Sequence, residues 1–140
     1  MIKRSVWAAK IYESLAELVL EVQRLPKVAE KNVDVSRADP NLSHEKWELI
    51  YKRMKSNLGN YEHYRKIFDA RPSNDEPPIS GSIADDLADI YRDLQDGLRR
   101  LESDPDHPAT AIGDWRMSFA IHWGKHAVHA IAALHDFLFH

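Results

Sequence analysis

The sequence has 140 residues, a formal net charge of −3 and no cysteine. A chain of this length can bury a core without disulfide or metal cross-links, so we expect one domain over residues 1–140. The acidic balance argues against nucleic acid as a partner, because phosphate neutralisation requires a basic surface. The lack of cysteine excludes disulfides, thiolate zinc sites and cysteine nucleophiles, and it favours a reducing compartment.

Hydropathy argues against a membrane partner. No apolar run reaches the roughly 18 residues that cross a bilayer. The N-terminus begins with basic residues, but Glu13 and Glu17 interrupt the apolar region that a signal peptide needs. We therefore expect a cytoplasmic protein. Glycine is scarce and strand-type alternation is missing, which favours the all-α class.

Two helices are predicted in the first half of the chain. Apolar residues recur at alternating steps of three and four over about residues 5–25, which indicates the first helix. Residues 27–42 mix charge with Asn, Asp and Pro, and are predicted to be a connection. Ser43 is a candidate cap for the second helix, which Gly59 and Asn60 are expected to end.

The middle of the chain is predicted to be a short aromatic segment, a loop and a third helix. Tyr61–Asp69 carries several aromatic residues, and we expect one or two helical turns that pack on the other helices. Residues 70–81 hold three prolines and are predicted to be a loop. Ser82 and Asp85 have the spacing of a capping box. A clean apolar stripe follows and predicts the third helix over about 83–102.

The fourth helix, predicted to begin between Pro108 and Asp114, carries the stretch Trp115–Leu138. This stretch holds two of the four tryptophans and four of the eight histidines. Its apolar residues cover more than half of the helix circumference, which predicts that most of it is buried. Gly124 in its interior costs about 1 kcal/mol relative to alanine, so we expect a helix or a large side chain to approach closely there.

Together these elements predict an all-α fold. Four amphipathic segments with modest loops are typical of an up-down four-helix bundle. The aromatic segment adds one short helical turn between helices two and three.

The residues that can carry chemistry lie on helices three and four. The aspartates of helix three and the histidines of helix four each have spacings that place them on one face of their helix. Since a short connection makes these helices antiparallel, facing positions have residue numbers that sum to roughly 210 to 216. The two sets are therefore expected at the same height, while the rotation of each helix is left open. The candidate ligands are Asp86, Asp89 and Asp93 on helix three, and His122, His126 and His129 on helix four.

Several roles fit these candidates. The first is structural: His126, and His122 with it, is half-buried and hydrogen-bonded to an aspartate, which fixes helix register. A bound divalent metal is the second, although the Glu-x-x-His pairs of known carboxylate bundles are absent. Acid/base catalysis without a metal is a third, and a surface role is the last. No cofactor is strongly implied and no catalytic residue is assigned. Surface or cap roles are predicted for Asp85, Asp96, Asp104, Arg99 and Arg100.

No nucleotide-binding loop, nucleophile elbow, HExxH pair or EF-hand loop is present. The Asp86 and Asp89 pair is similar to the carboxylate pairs by which helical nucleotide pyrophosphohydrolases hold magnesium. Those enzymes also need a Glu-x-x-Glu pair on another helix. The nearest substitute here is Glu13 with Glu17, at a spacing of four, and this departure weakens the hydrolase interpretation.

Four segments resemble an uncharacterised family of small bacterial all-helical proteins, a domain of unknown function. The resemblance spans about residues 10–135, and Ala70 departs from it where a proline is expected. It implies a bacterial, all-α protein and supplies no activity, substrate or catalytic residue. The segments are IYESLAELVLEVQRLP, LGNYEHYRKIFD, GSIADDLADIYRDLQDGL and WRMSFAIHWGKHAVHAIAALH, of which DDLADIYRDL and HWGKHA are the most specific.

We therefore expect a non-catalytic helical module that binds an unidentified protein or small molecule. Self-association as a homodimer through an exposed helix face is compatible with this expectation. The alternative is a metal-dependent hydrolase of the nucleotide pyrophosphohydrolase kind, with its centre among Asp86, Asp89, His122 and His126.

Overall fold

A computed structural model describes residues 4–28 and 40–140. The chain is mostly helical and carries one small two-stranded sheet. A 3₁₀ turn, Gly59–Glu62, follows the second helix, and a π-helical turn, Phe119–Trp123, joins the last two helices. The elements are α1 Arg4–Arg24, α2 Pro40–Leu58, β1 His63–Lys66, β2 Ile79–Ser82, α3 Ile83–Ser103, α4 Ala109–Ser118 and α5 Gly124–Phe139.

The predicted bounds of the first and third helices are confirmed to within two residues. The fourth begins inside its predicted range, at Ala109, but the π turn interrupts it. Ser82 caps α3 as predicted, because its Oγ accepts the backbone N–H of Asp85 at 3.1 Å. The prediction for Ser43 is wrong. The second helix already begins at Pro40, whose fixed φ suits a first helical turn, so Ser43 lies inside the helix and is buried. The predicted connection over 27–42 falls mostly outside the described residues.

The segment predicted as an aromatic helical turn contains the strand β1. Only Gly59–Glu62 is helical, and β1 then pairs antiparallel with β2, with Tyr64 opposite Gly81. The end of the predicted loop therefore belongs to the sheet. Four residues are too few to show an alternating pattern, and the pairing joins segments separated by a proline-rich loop, so local sequence does not reveal it.

Helix α3 lies at the centre of the fold and packs against α2, α4 and α5, while α1 packs mainly on α5. Its apolar residues Ile83, Leu87 and Ile90 enter the main hydrophobic core. The other residues of that core come from α1, α2 and the π turn with α5: Ala8, Leu15, Val22, Leu58, Trp123, Ala127, Ala130 and Leu134.

The stretch Trp115–Leu138 is less buried than predicted. Ile121 is 72% exposed, and Val128 is also exposed. The π turn holds more residues per turn than an α-helix, so a uniform 100° per residue misplaces the positions on either side of it. No helix within residues 4–28 and 40–140 is long and apolar enough to span a membrane.

Candidate metal centre

A row of buried aspartates runs along one face of α3, beside its apolar stripe. The spacings of three, four and three residues keep all four side chains on this face. Ionised carboxylates are costly to bury unless they are paired or hydrogen-bonded, so the row requires partners from the neighbouring elements. Its members are Asp86, Asp89, Asp93 and Asp96.

His126, on α5, lies between two of these carboxylates. Its Nδ1 is 2.6 Å from Oδ1 of Asp86, and its Nε2 is 3.0 Å from Oδ2 of Asp89. Asp86 is only 1% exposed. Both ring nitrogens of His126 are therefore held by carboxylates from α3.

His122, one turn earlier in the π turn, has a parallel arrangement. Its Nδ1 is 2.6 Å from Oδ2 of Asp93, and its Nε2 is 3.5 Å from Oδ2 of Asp89. The two imidazole rings are 4.8 Å apart and nearly perpendicular. Both Nε2 atoms thus approach the same oxygen of Asp89, and the heights predicted from connectivity hold for every contacting pair.

The other oxygen of Asp89 is held from two sides. Trp47, on α2, donates its indole N–H to Oδ1 at 2.6 Å. Arg92, one turn along α3, donates Nη2–H to the same atom at 3.0 Å. These two donors fix the rotation of the Asp89 carboxylate, so that Oδ2 faces the histidines.

The β-hairpin adds a third partner to the row. Tyr64, on β1, donates its hydroxyl to Oδ2 of Asp86 at 2.5 Å. The buried polar cluster therefore runs without a break from Tyr64 through Asp86, His126 and Asp89 to His122 and Asp93.

The cluster shifts the pKa values of its members strongly. Burial alone raises the pKa of Asp89, but hydrogen bonds from His122, His126 and Trp47 outweigh it and hold this pKa well below its usual range. Pairing with Asp89, then with Asp93, raises the pKa of His122 to about 9. Burial works to lower the pKa of His126, yet its bonds to Asp86 and Asp89 raise it to about 9.

The π turn contains His122, and Gly124 follows the turn directly, two residues before His126. The backbone N–H of Gly124 reaches back to the carbonyl of Phe119, the five-residue bond of a π-helix. A Cβ on Gly124 would press against that carbonyl and lie 2.9 Å from two ring carbons of Phe119. The predicted close approach at Gly124 is thus made by a large side chain of the same helix, and it sits between His122 and His126.

Two sets of donor atoms within the described residues lie close enough to share a metal ion. One is Asp89, His122 and His126, and the other is Asp85, Asp86 and His126, each within 4.8 Å. In the second set, both oxygens of Asp86 already bind Tyr64 and His126. In the first set, the Nε2 atoms of both histidines lie 3.0 and 3.5 Å from one oxygen of Asp89, so it is the better candidate.

His129 does not join the cluster. It lies toward the hairpin, where burial, then Lys66 and Lys125, lower its pKa. Asp93 contacts Nδ1 of His122 and belongs to neither set of donor atoms. The Glu13 and Glu17 pair is exposed on α1, so it supplies no second carboxylate pair to the centre.

Sequence reasoning missed several members of the buried polar row. Asp96 and Arg100, predicted as surface charges, are buried or nearly so, and Arg100 Nε lies 3.4 Å from Oδ1 of the buried Asp114. Burial raises the pKa of Asp114 to about 6 despite Arg100. The three-four-three spacing of the aspartates was the available signal for Asp96. Tyr64 and Trp47 carried no signal, because their partners lie far away in sequence.

The sequence of residues 1–140 matches the family model of DUF5063, a domain of unknown function. The chain belongs to this family. The resemblance to an uncharacterised family is thereby confirmed, and no curated protein matches the sequence. Among solved structures, this DUF5063 chain is similar to the crystal structure of protein BF1032 from Bacteroides fragilis. The TM-score is 0.76 at 23% identity, over 99% of this chain and 79% of that one. At this identity the likeness shows the fold alone.

Proposed function

We propose that this DUF5063 domain binds one divalent transition-metal ion through Asp89, His122 and His126. One observation carries the proposal. The Nε2 atoms of both histidines lie 3.0 and 3.5 Å from the same oxygen of Asp89, while both Nδ1 atoms are held at 2.6 Å by other carboxylates. Two imidazoles and one carboxylate suit Zn²⁺, Fe²⁺, Mn²⁺, Co²⁺ or Ni²⁺.

The spacing of the donor atoms supports this assignment. Metal–nitrogen and metal–oxygen bonds of about 2.1 Å, at tetrahedral or octahedral angles, place neighbouring donors about 3.0 to 3.5 Å apart. Histidines that bind metals also usually donate their other ring N–H to a carboxylate, which fixes the tautomer and raises ligand basicity. Asp86 and Asp93 occupy this position for His126 and His122.

The charge of the cluster supports it as well. Three carboxylates, Asp86, Asp89 and Asp93, contact the two histidines, and Arg92 contacts Asp89. Buried carboxylates require positive charge nearby. Imidazolium protons supply such charge in the metal-free protein, and a divalent ion would supply it once the imidazoles are neutral.

Metal binding is tested by titrating chelator-stripped protein with Zn²⁺ in a calorimeter and by elemental analysis of protein purified without chelator. We expect one equivalent of Zn²⁺ to bind. Asp89→Ala and His122→Gln should each weaken binding by about 100-fold, because each removes one of three ligands. His129→Gln is the matched control on the same helix and should bind as the wild type does. Equal binding by all variants, or no binding by the wild type, would refute the proposal.

A metal centre departs from the expected module, which would bind a protein or a small molecule, and it is the first requirement of the hydrolase alternative. A metal-dependent hydrolase remains the alternative, and one observation favours it. Three protein ligands leave coordination positions open, and His122 is 36% exposed, so the site reaches solvent. Release of phosphate or pyrophosphate from nucleoside triphosphates by the Zn²⁺- or Mn²⁺-loaded protein, abolished in Asp89→Ala, would support the hydrolase.

The finer assignments belong to the same proposal. We interpret the packing of α1, α2, α3 and the joined α4 and α5 as an up-down four-helix bundle. A bacterial, cytoplasmic protein fits the family resemblance and the lack of cysteine. Size-exclusion chromatography with light scattering tests whether it forms a homodimer.

A further inference from the structure

The β-hairpin is attached at both ends to the N-terminus of α3. Ser82, the last residue of β2, caps α3 and hydrogen-bonds through its hydroxyl to Glu62, which immediately precedes β1. Glu62 is itself buried and also pairs with His63 at 2.9 Å. The strands are therefore fixed to the helix that carries Asp86.

Tyr64 depends on one glycine for its position. It lies opposite Gly81 in the ladder, and a Cβ on Gly81 would come within 2.5 to 2.9 Å of three atoms of the Tyr64 ring. Any other residue at position 81 would push the ring away. The ring therefore lies across the bare backbone of β2, and its hydroxyl reaches Oδ2 of Asp86 at 2.5 Å.

Both carboxylate oxygens of Asp86 are engaged within the cluster. Asp86 is almost fully buried, one oxygen accepts the Tyr64 hydroxyl, and the other binds Nδ1 of His126 at 2.6 Å. Without Tyr64, this carboxylate would keep a buried oxygen with no donor and could turn about its side-chain torsion. Its hold on His126 would loosen, although every metal ligand would still be present.

We infer that Tyr64 is a positioning residue of the metal centre: it orients Asp86, and Asp86 in turn holds the Nδ1 atom of His126 so that Nε2 faces the metal. This inference rests on the metal site proposed above. It gives the β-hairpin a role, which is to carry the Tyr64 hydroxyl to Asp86. Loss of such an outer hydrogen bond typically weakens metal affinity by about 10- to 100-fold.

Co²⁺ is the probe, because both its affinity and its visible absorption report the ligand geometry. The chelator-stripped full chain is titrated as wild type, Tyr64→Phe and Tyr61→Phe. Phenylalanine at 64 keeps the ring over Gly81 and removes only the hydroxyl. Tyr61 is the matched control, since it is exposed and its ring packs on Phe137. We expect Tyr64→Phe to bind Co²⁺ at least about 10-fold more weakly, with a shifted spectrum, and Tyr61→Phe to match the wild type.

Asp86→Asn completes a double-mutant cycle and serves as a second probe if Tyr64→Phe folds poorly. In the Asp86→Asn background, Tyr64→Phe should weaken binding by less than about twofold, because the acceptor of its hydroxyl is already altered. A full additional loss would overturn the inference, and so would a Tyr64→Phe protein with wild-type affinity and spectrum. A wild type that binds no Co²⁺ would instead refute the metal site itself, and the inference with it.

Discussion

Replacing Gly124 with alanine brings two opposing effects into direct competition. Alanine in a helix interior is favoured over glycine by about 1 kcal/mol. The new Cβ would meet the Phe119 carbonyl and lie 2.9 Å from two carbons of its ring. The ring can turn aside, but the carbonyl is backbone and already accepts the N–H of Gly124. Overpacking of this kind costs about 1 to 3 kcal/mol.

The steric cost therefore exceeds the gain in helix propensity, and we expect a net loss of about 1 kcal/mol. For a chain of this size, that corresponds to a melting temperature lower by about 3 to 4 °C. Gly124→Leu, with a larger side chain, should lose more. Thermal melts in chelator measure both.

The control is Ala132→Gly, at an exposed position of α5. It should lose about 1 kcal/mol by propensity alone, which calibrates the helix. A Gly124→Ala protein that melts at or above the wild-type temperature would show that the π turn accommodates a side chain, and the steric argument would be wrong.

Three further predictions concern charge and packing. In the presence of chelator, the wild type should have a higher melting temperature than His126→Gln at pH values below 6.5. This difference should fade as pH rises through about 9, because the folded-state pKa of His126 is raised to about 9. With Zn²⁺ the trend reverses, since acid protonates the ligands and releases the metal; parallel profiles indifferent to chelator would contradict both expectations. The pKa of Asp114 is raised from 3.8 to about 6, so its ionised form destabilises the fold. Asp114→Asn should therefore have a higher melting temperature than the wild type at pH 7, and this difference should be absent below pH 3.8. A Cβ at Gly97 would collide with the Trp115 indole, so Gly97→Ala should lose about 1 to 3 kcal/mol in urea denaturation, and an unchanged midpoint would refute this contact.

The helices could be predicted because their signals are local. The apolar stripes, the Ser82 cap and the breaks near Gly59 and Pro108 each lie within a few residues of the structure that they specify. The heights of the aspartates and histidines followed from a short connection and a constant rise per residue. Most residues of the candidate site could therefore be predicted from the sequence.

What could not be predicted depends on contacts between distant segments. The rotation of α5 relative to α3 depends on the π turn, which a constant angle per residue does not describe. The pairing of β1 with β2, and with it Tyr64, joins residues on either side of a proline-rich loop. The proximity of Asp96 to the buried Asp114 exists only in the folded chain, and the spacing of the aspartate row is the one sequence signal for the burial of Asp96.

The π turn also has a consequence for chain length. Ile121, at its outer edge, is largely exposed, so most replacements of its side chain should be tolerated. Its deletion would remove the residue that the π turn holds in excess of an α-helical turn, so the turn would close as α-helix and α5 would keep its face toward α3. A deletion in the regular part of α5, at Ala132, has no such outlet, and it would turn Leu134 out of the core by about 100°. A one-residue deletion should therefore be tolerated better at position 121 than at position 132.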